Sequence, residues 1–213
     1  MAAYYPVFLD LKGRVCVIVG GGKVAEGKVR QLLESGATVT VVSPNATASI
    51  KDLANSGSLR WHPRKFEPGD VKNAYLAIAA TDRPEVNRRV AEEADAGKVL
   101  LNVVDTPELC GFIAPSVVRR GDVVFAISTG GASPALARKL RESLEASELL
   151  DYAELAPLLS KARGEVKRRG LTVAPELWQR HIDMALVRLV RQGREEEALE
   201  GLLASLAGDG AGP

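Results

Sequence analysis

The chain has 213 residues, 46% hydrophobic and 26% charged, a balance that excludes global disorder and leaves ample apolar material for a core. Lys and Arg total 28 against 27 Asp and Glu, so the net charge of +1 gives no electrostatic case for binding nucleic acid or an anionic membrane. No apolar run reaches the roughly 18 residues of a membrane span, and "MAAYYPVFLDLKGR" lacks the basic start and apolar core of a signal peptide. Cys16 and Cys110 are the only cysteines and form no metal or redox spacing, which points to a reducing, cytoplasmic setting.

The first element is a continuous apolar run over residues 14–20, the pattern of a parallel strand buried on both faces. Val24, Val29, Leu32 and Leu33 then recur at helical spacing, with Gly36 as the stop. "ATVTVVS" predicts a second strand and 46–55 a short helix. A third strand is expected over 59–66, interrupted near Pro63, and "AYLAIAATD" gives a fourth. A helix over 85–96 ending at Gly97 and the strand "KVLLNVVD" complete this part. Strands alternating with helices imply a doubly wound parallel sheet. After Cys110 the rhythm changes. "FIAPSVVRRGDVVFAIST" reads as two strands around Arg120-Gly121-Asp122, and Ser133-Pro134 opens a helix to about Ser147. From Leu149 onward the sequence reads as helix, punctuated by Gly170, Pro175 and Gly193, and frays into "AGDGAGP". Trp178, Ile182, Ala185, Leu186 and Leu189 form an expected core-facing stripe. The expected boundaries are 1–113, 114–148 and 149–213.

Between the first strand and helix, Gly20-Gly21-Gly22-Lys23-Val24-Ala25 matches G-x-G-x-x-A. In a dinucleotide fold the first glycine permits the turn and the second lets the backbone approach a pyrophosphate. The small third residue lets helix and strand pack closely, and the helix N-terminus holds the phosphates. The acid that would bind the adenosine ribose is missing. Ser43-Pro44-Asn45 stands at the end of the second strand with no neighbouring Arg, so the residues leave NAD and NADP open.

The stretch "NVVDTPELCGFIAPSVVRRGDVVFAISTGGASPALARKLRESLE", with "GGGKVAEGK" and "AATD", resembles the precorrin-2 dehydrogenase/sirohydrochlorin ferrochelatase family of sirohaem synthesis over about the first 150 residues. The likeness is to the stand-alone form, too short to hold the methyltransferase domain fused in some relatives. It implies a Rossmann NAD-binding domain (1–113), a small α+β dimerisation domain (114–148) and a helical domain (149–213), working as a homodimer. The implied reaction is oxidation of precorrin-2 to sirohydrochlorin, with ferrous iron inserted afterwards in bifunctional members. The family's functional aspartate falls on Asp105, as a general base. The family also lines the cofactor with the stretch at Thr81-Asp82.

The residues themselves leave alternatives. Asp105 could take a proton beyond a strand end, or cap a turn before Pro107. Thr81 and Asp82 could line the cofactor, cap the helix near Pro84, or both. Asn102, and with it Val104, could face the nicotinamide, or Asn102 could only fix its own loop. "STGGASPALARKLR" has Ser128-Thr129-Gly130-Gly131 where many relatives have Ser-Ser-Gly-Gly, either contacting substrate or serving as an ordinary strand-to-helix turn. The substrate that the resemblance implies is rich in carboxylates and needs donors, and Arg119, Arg120, Arg138, Lys139 and Arg141 are the candidates, of which Arg119 and Arg138 are preferred. His62 and His181 belong to no metal-binding set, so no stable metal site is expected. Cys110 reads as a packing residue rather than a nucleophile. The competing readings are a non-catalytic dinucleotide sensor, and a dehydrogenase of simpler substrates, against which the scarcity of His counts.

Overall fold

The computed structural model describes residues 4–208; most of the tail expected to fray lies outside the described residues. The chain divides after Ala114 into two compact units.

The first unit carries β1 (Val15–Val19), α1 (Lys23–Glu34), β2 (Thr38–Val42), α2 (Ala48–Asn55) and β3 (Arg60–His62). It continues with β4 (Leu76–Ala79), α3 (Pro84–Gly97) and β5 (Leu100–Val103). All five strands are parallel, in the order β3-β2-β1-β4-β5 of a Rossmann-like sheet. Alternate residues of β1 explain its unbroken apolar run. Cys16 and Ile18 pack with Ala25, Val29 and Leu32 of α1 and Ile50 of α2. Val17 and Val19 face the other layer, with Val90 and Ala94 of α3. Each such buried Val or Ile contributes about 1.5–3 kcal/mol through removal of apolar surface from water.

One expectation in this unit is corrected. The third strand stops at His62, because Pro63 has no N–H for a ladder. Phe66 and Val71 instead anchor a helix-free crossover, pinned where Glu93 accepts from the N–H groups of Gly69 and Val71, both at 2.9 Å. α3 ends at Gly97 as expected, and the left-handed residue after it is Lys98 (φ 54).

The second unit opens with the antiparallel hairpin β6 (Ser116–Arg120) and β7 (Val123–Ile127). Gly121 at φ 56 and Asp122 make its two-residue turn, the glycine-first geometry that matches strand twist. α4 (Pro134–Glu145) is capped by Ser133, whose hydroxyl accepts from Leu136 N at 3.1 Å. The run expected to be helical breaks at Gly170, Pro175 and Gly193 as expected, and also at its start and at Asp183. Residues 148–155 are 3-10, since Pro157 has no N–H to offer the Ala153 carbonyl. α5 (Ala156–Arg168), α6 (Pro175–His181), α7 (Met184–Arg191) and α8 (Glu195–Gly208) follow. The Trp178 stripe is interrupted, because Asp183 starts α7 afresh by accepting from Leu186 N at 2.8 Å. That rotation exposes Ala185 and buries Val187 beside Leu186, with Leu155, Leu158, Leu202 and Leu206. Among the described residues no helix is long and apolar enough to cross a membrane.

Candidate functional site

The strand order reverses between β1 and β4, and in open α/β sheets ligands bind beyond the carboxyl ends of strands at such a point. The loops leaving those ends are Gly20–Gly22 and Ala80–Arg83. Gly20, Gly21, Gly22, Lys23, Val24, Ala25, Ser43, Thr81, Asp82, Val104 and Asp105 all follow a strand end on this edge of the first unit, and Asn102 lies in β5 itself.

The three glycines have different tasks. Gly20 sits at φ 124, and a Cβ there would stand 2.2 Å from the Ala80 carbonyl oxygen. A Cβ on Gly21 would stand 2.1 Å from the Asn45 oxygen, so only a glycine here admits the β2–α2 loop. Thr47 N donates to Gly21 O at 3.0 Å across the same junction. Only Gly22 faces open space, with nothing within 4 Å of a Cβ. It is the N-cap of α1 and supplies no side-chain cap to that helix. Uncapped N–H groups at an N-terminus bordered by open space fit a dinucleotide pyrophosphate. Lys23 and Val24 are exposed beside it and Ala25 is fully buried. Glu26 in the first turn is held below the usual carboxylate range by a hydrogen bond from Thr47, then by Arg30.

Ser43 is buried at the end of β2, with its carbonyl accepting from Trp61 Nε1 at 3.0 Å. No carboxylate stands at residues 43–46 to meet a ribose or repel a 2′-phosphate. After β4, the Thr81 hydroxyl donates to Asn87 Oδ1 at 2.7 Å, and Asn87 Nδ2 donates to Thr81 O at 3.2 Å. The residue at the N-cap of α3 is Arg83, not Thr81 or Asp82, although Thr81 Oγ1 does accept from Arg83 N at 3.2 Å. Asp82 is exposed.

Val104 N continues the β4–β5 ladder to Ala79 O at 2.9 Å. The next residue, Asp105, lies at φ 58, a left-handed conformation that an aspartate tolerates better than most side chains. It is exposed, and among the described residues its carboxylate accepts no hydrogen bond. The 3-10 turn at Pro107–Leu109 takes Thr106 as its N-cap and has no side-chain cap, so Asp105 does not cap it. Asn102, for which the residues left open the nicotinamide side or its own loop, is buried and donates through Nδ2 to Phe112 O at 3.1 Å, so its amide fixes the returning chain. Burial pushes the Cys16 thiol up to about 11, far from a reactive thiolate.

The other candidates belong to the second unit. Thr129 Oγ1 accepts from Ser133 N and donates to Ser133 O, both at 3.1 Å, so this hydroxyl closes its own turn. Gly130 is exposed at φ 62. Arg119 and Arg138 are exposed and make no ion pair among the described residues, whereas Arg120 pairs with Glu154 and Arg141 with Glu145. His62 ends β3 and His181 ends α6; among the described residues no group of three or more His, Cys, Asp or Glu is placed to hold a metal ion. Sequence reasoning passed over Thr47, Trp61 and Asn87. For Asn87 a signal existed: it lies three residues before Val90 on the buried face of α3.

Residues 7–116 match the protein family described as "Putative NAD(P)-binding", and residues 126–147 match that described as "Sirohaem biosynthesis protein central". The chain is 38% identical over 207 residues to a sirohaem synthase of Nitrosococcus oceani, covering 96% of this chain and 44% of that protein. Identity to the sirohaem synthase of Thioalkalivibrio sulfidiphilus is 42% over 205 residues, 95% of this chain and 42% of the relative. The chain thus spans less than half the length of these curated relatives. Among solved structures, the precorrin-2 dehydrogenase SirC superposes with a TM-score of 0.71 at 28% identity, over 93% of this chain and 98% of that one. With an NAD(P)-binding match over more than half of its residues and a sirohaem-specific match after it, the chain belongs to the precorrin-2 dehydrogenase/sirohaem synthase family.

Proposed function

We propose that the protein catalyses NAD-dependent oxidation of precorrin-2 to sirohydrochlorin in the cytoplasm. The observation that carries this reading is the end-to-end likeness to SirC, covering 93% of one chain and 98% of the other. Precorrin-2 and NAD⁺ give sirohydrochlorin, NADH and a proton. The dinucleotide, held at Gly22 and the α1 N-terminus, supplies the hydride acceptor. Asp105 receives the proton, and its exposed, unpartnered carboxylate is suited to that task. Arg119 and Arg138 are proposed to meet substrate carboxylates through paired N–H donors. On the strength of the relatives' name, sirohaem synthase, the proposal extends to ferrous iron as a second substrate, with Asp105 accepting pyrrole protons.

We also propose a homodimer. Val117 of β6 is 40% exposed, and Leu136 and Leu140, one turn apart on α4, are 50% and 46% exposed. A second copy of the chain would cover this apolar surface.

The deciding experiment is anaerobic turnover of precorrin-2 with NAD and NADP separately, then with ferrous iron, using wild type and Asp105→Ala. Sirohydrochlorin formed with NAD by wild type and lost in the variant supports the reading. Nucleotide binding with no oxidation would overturn it in favour of a dinucleotide sensor.

A further inference from the structure

β5 is an edge strand, with β4 on one side only. The backbone groups on its outer side therefore need partners other than a strand. At Val103, a residue only 2% exposed, both are met by one side chain. Cys110 Sγ accepts from Val103 N at 3.1 Å and donates toward Val103 O at 3.3 Å. The Thr106 carbonyl shares that same S–H at 3.4 Å, and Asn102 Nδ2 reaches the sulfur at 3.6 Å. Val103 and Thr106 flank the turn that contains Asp105, closed by Thr106 N donating to Val103 O at 3.3 Å. The sulfur thus touches the backbone on both sides of an aspartate whose own φ of 58 is unfavourable without support.

We propose that Cys110 is a positioning residue, whose thiol replaces the missing neighbour strand at Val103 and holds Asp105 in its left-handed conformation. The inference deepens the dehydrogenase reading and rests on it for its catalytic consequence, but the conformational part stands on the chain alone. A residue acting this way affects proton transfer without touching nucleotide or substrate. Serine keeps a donor and an acceptor at the position, valine keeps bulk without either, and alanine keeps neither.

The test compares the full chain with Cys110→Ser, Cys110→Val and Cys110→Ala. Amide hydrogen exchange is read at Val103 and Thr106, with Val41, buried in a strand paired on both sides, as the control for global unfolding. Exchange at 103 and 106 is expected to accelerate about tenfold or more in the Val and Ala variants, with Val41 unchanged and the Ser variant near wild type. Precorrin-2 turnover should fall about tenfold in the same two variants with unaltered NAD affinity, since small misplacements of a reacting group carry such penalties. Unchanged exchange at 103 and 106 in Cys110→Val and Cys110→Ala overturns the proposal whatever the activities. Accelerated exchange with unchanged kcat reduces Cys110 to a structural residue and also overturns it. Wild type that fails to oxidise precorrin-2 condemns the dehydrogenase reading instead, and exchange still decides whether the thiol holds Asp105.

Discussion

The carbonyl oxygen of Ala80 stands 2.2 Å from the point that a Cβ on Gly20 would occupy, so the loop after β4 rests directly on the backbone of the loop after β1. This contact and the matching one between Gly21 and Asn45 divide three adjacent glycines into two classes. Gly20→Ala and Gly21→Ala are expected to destabilise the fold by about 2–3 kcal/mol, through backbone clash and, at Gly20, a left-handed φ. Gly22→Ala, at φ −80 in open space, should leave the melting temperature nearly unchanged and weaken NAD binding about tenfold or more. Thermal melts and nucleotide titrations on the three variants check this division.

Asp105 couples an uncommon backbone conformation to a proposed base, and substitutions separate the two. Asp105→Asn tolerates the same φ but cannot take a proton, so turnover should fall between about 10²- and 10⁴-fold with NAD affinity intact. Asp105→Gly suits φ 58 better still and is expected to be at least as stable as wild type while equally inactive. An Asn variant with near-normal turnover would remove Asp105 from the chemistry.

Glu154 joins the hairpin to the helices of the second unit. Its carboxylate takes two hydrogen bonds from Arg191, both at 3.0 Å, and one from Arg120 at 3.2 Å. These hold it below its ordinary value of 4.5, the Arg191 hydrogen bonds foremost. A folded-state value below the unfolded one means that the stabilisation is full above about pH 4.5 and is lost as pH falls through the lower value. Glu154→Gln should therefore cost about 1 kcal/mol at pH 7, and the gap from wild type should close in acid. Melting curves at neutral and acidic pH measure both.

The proposed dimer surface has a direct test. Leu136→Glu combined with Leu140→Glu places two charges on the half-exposed face of α4. Light scattering should report a monomer and circular dichroism an unchanged helical content, because neither side chain belongs to the core of its unit. A dimer that survives both substitutions refutes the assignment.

Much of the first unit could be read directly from residue order. Successive residues of β1 alternate between two buried layers, so a strand with no polar face was visible as an unbroken apolar run. The place of the glycine turn was equally visible, but its division of labour was not. The neighbours that forbid side chains at Gly20 and Gly21 come from Ala80 and Asn45, which only the folded sheet brings near. The inward direction of Asn102 and the thiol contacts of Cys110 were hidden for the same reason. In the second unit, helical spacing persisted through residues 148–155 and across Asp183, although Pro157 and the Asp183 cap break the path. Periodicity records which face is apolar and is insensitive to a local change of hydrogen-bond partner.

The way the chain doubles back after β5 also bears on self-association. Gly111 N and Phe112 N both donate to Leu101 O, at 2.8 and 3.2 Å, while the sulfur occupies Val103 beyond. The opposite border of the sheet, β3, is three residues long and stops at a proline. Neither border presents a run of open backbone groups onto which a foreign strand could zip, so the sheet resists fibrillar growth.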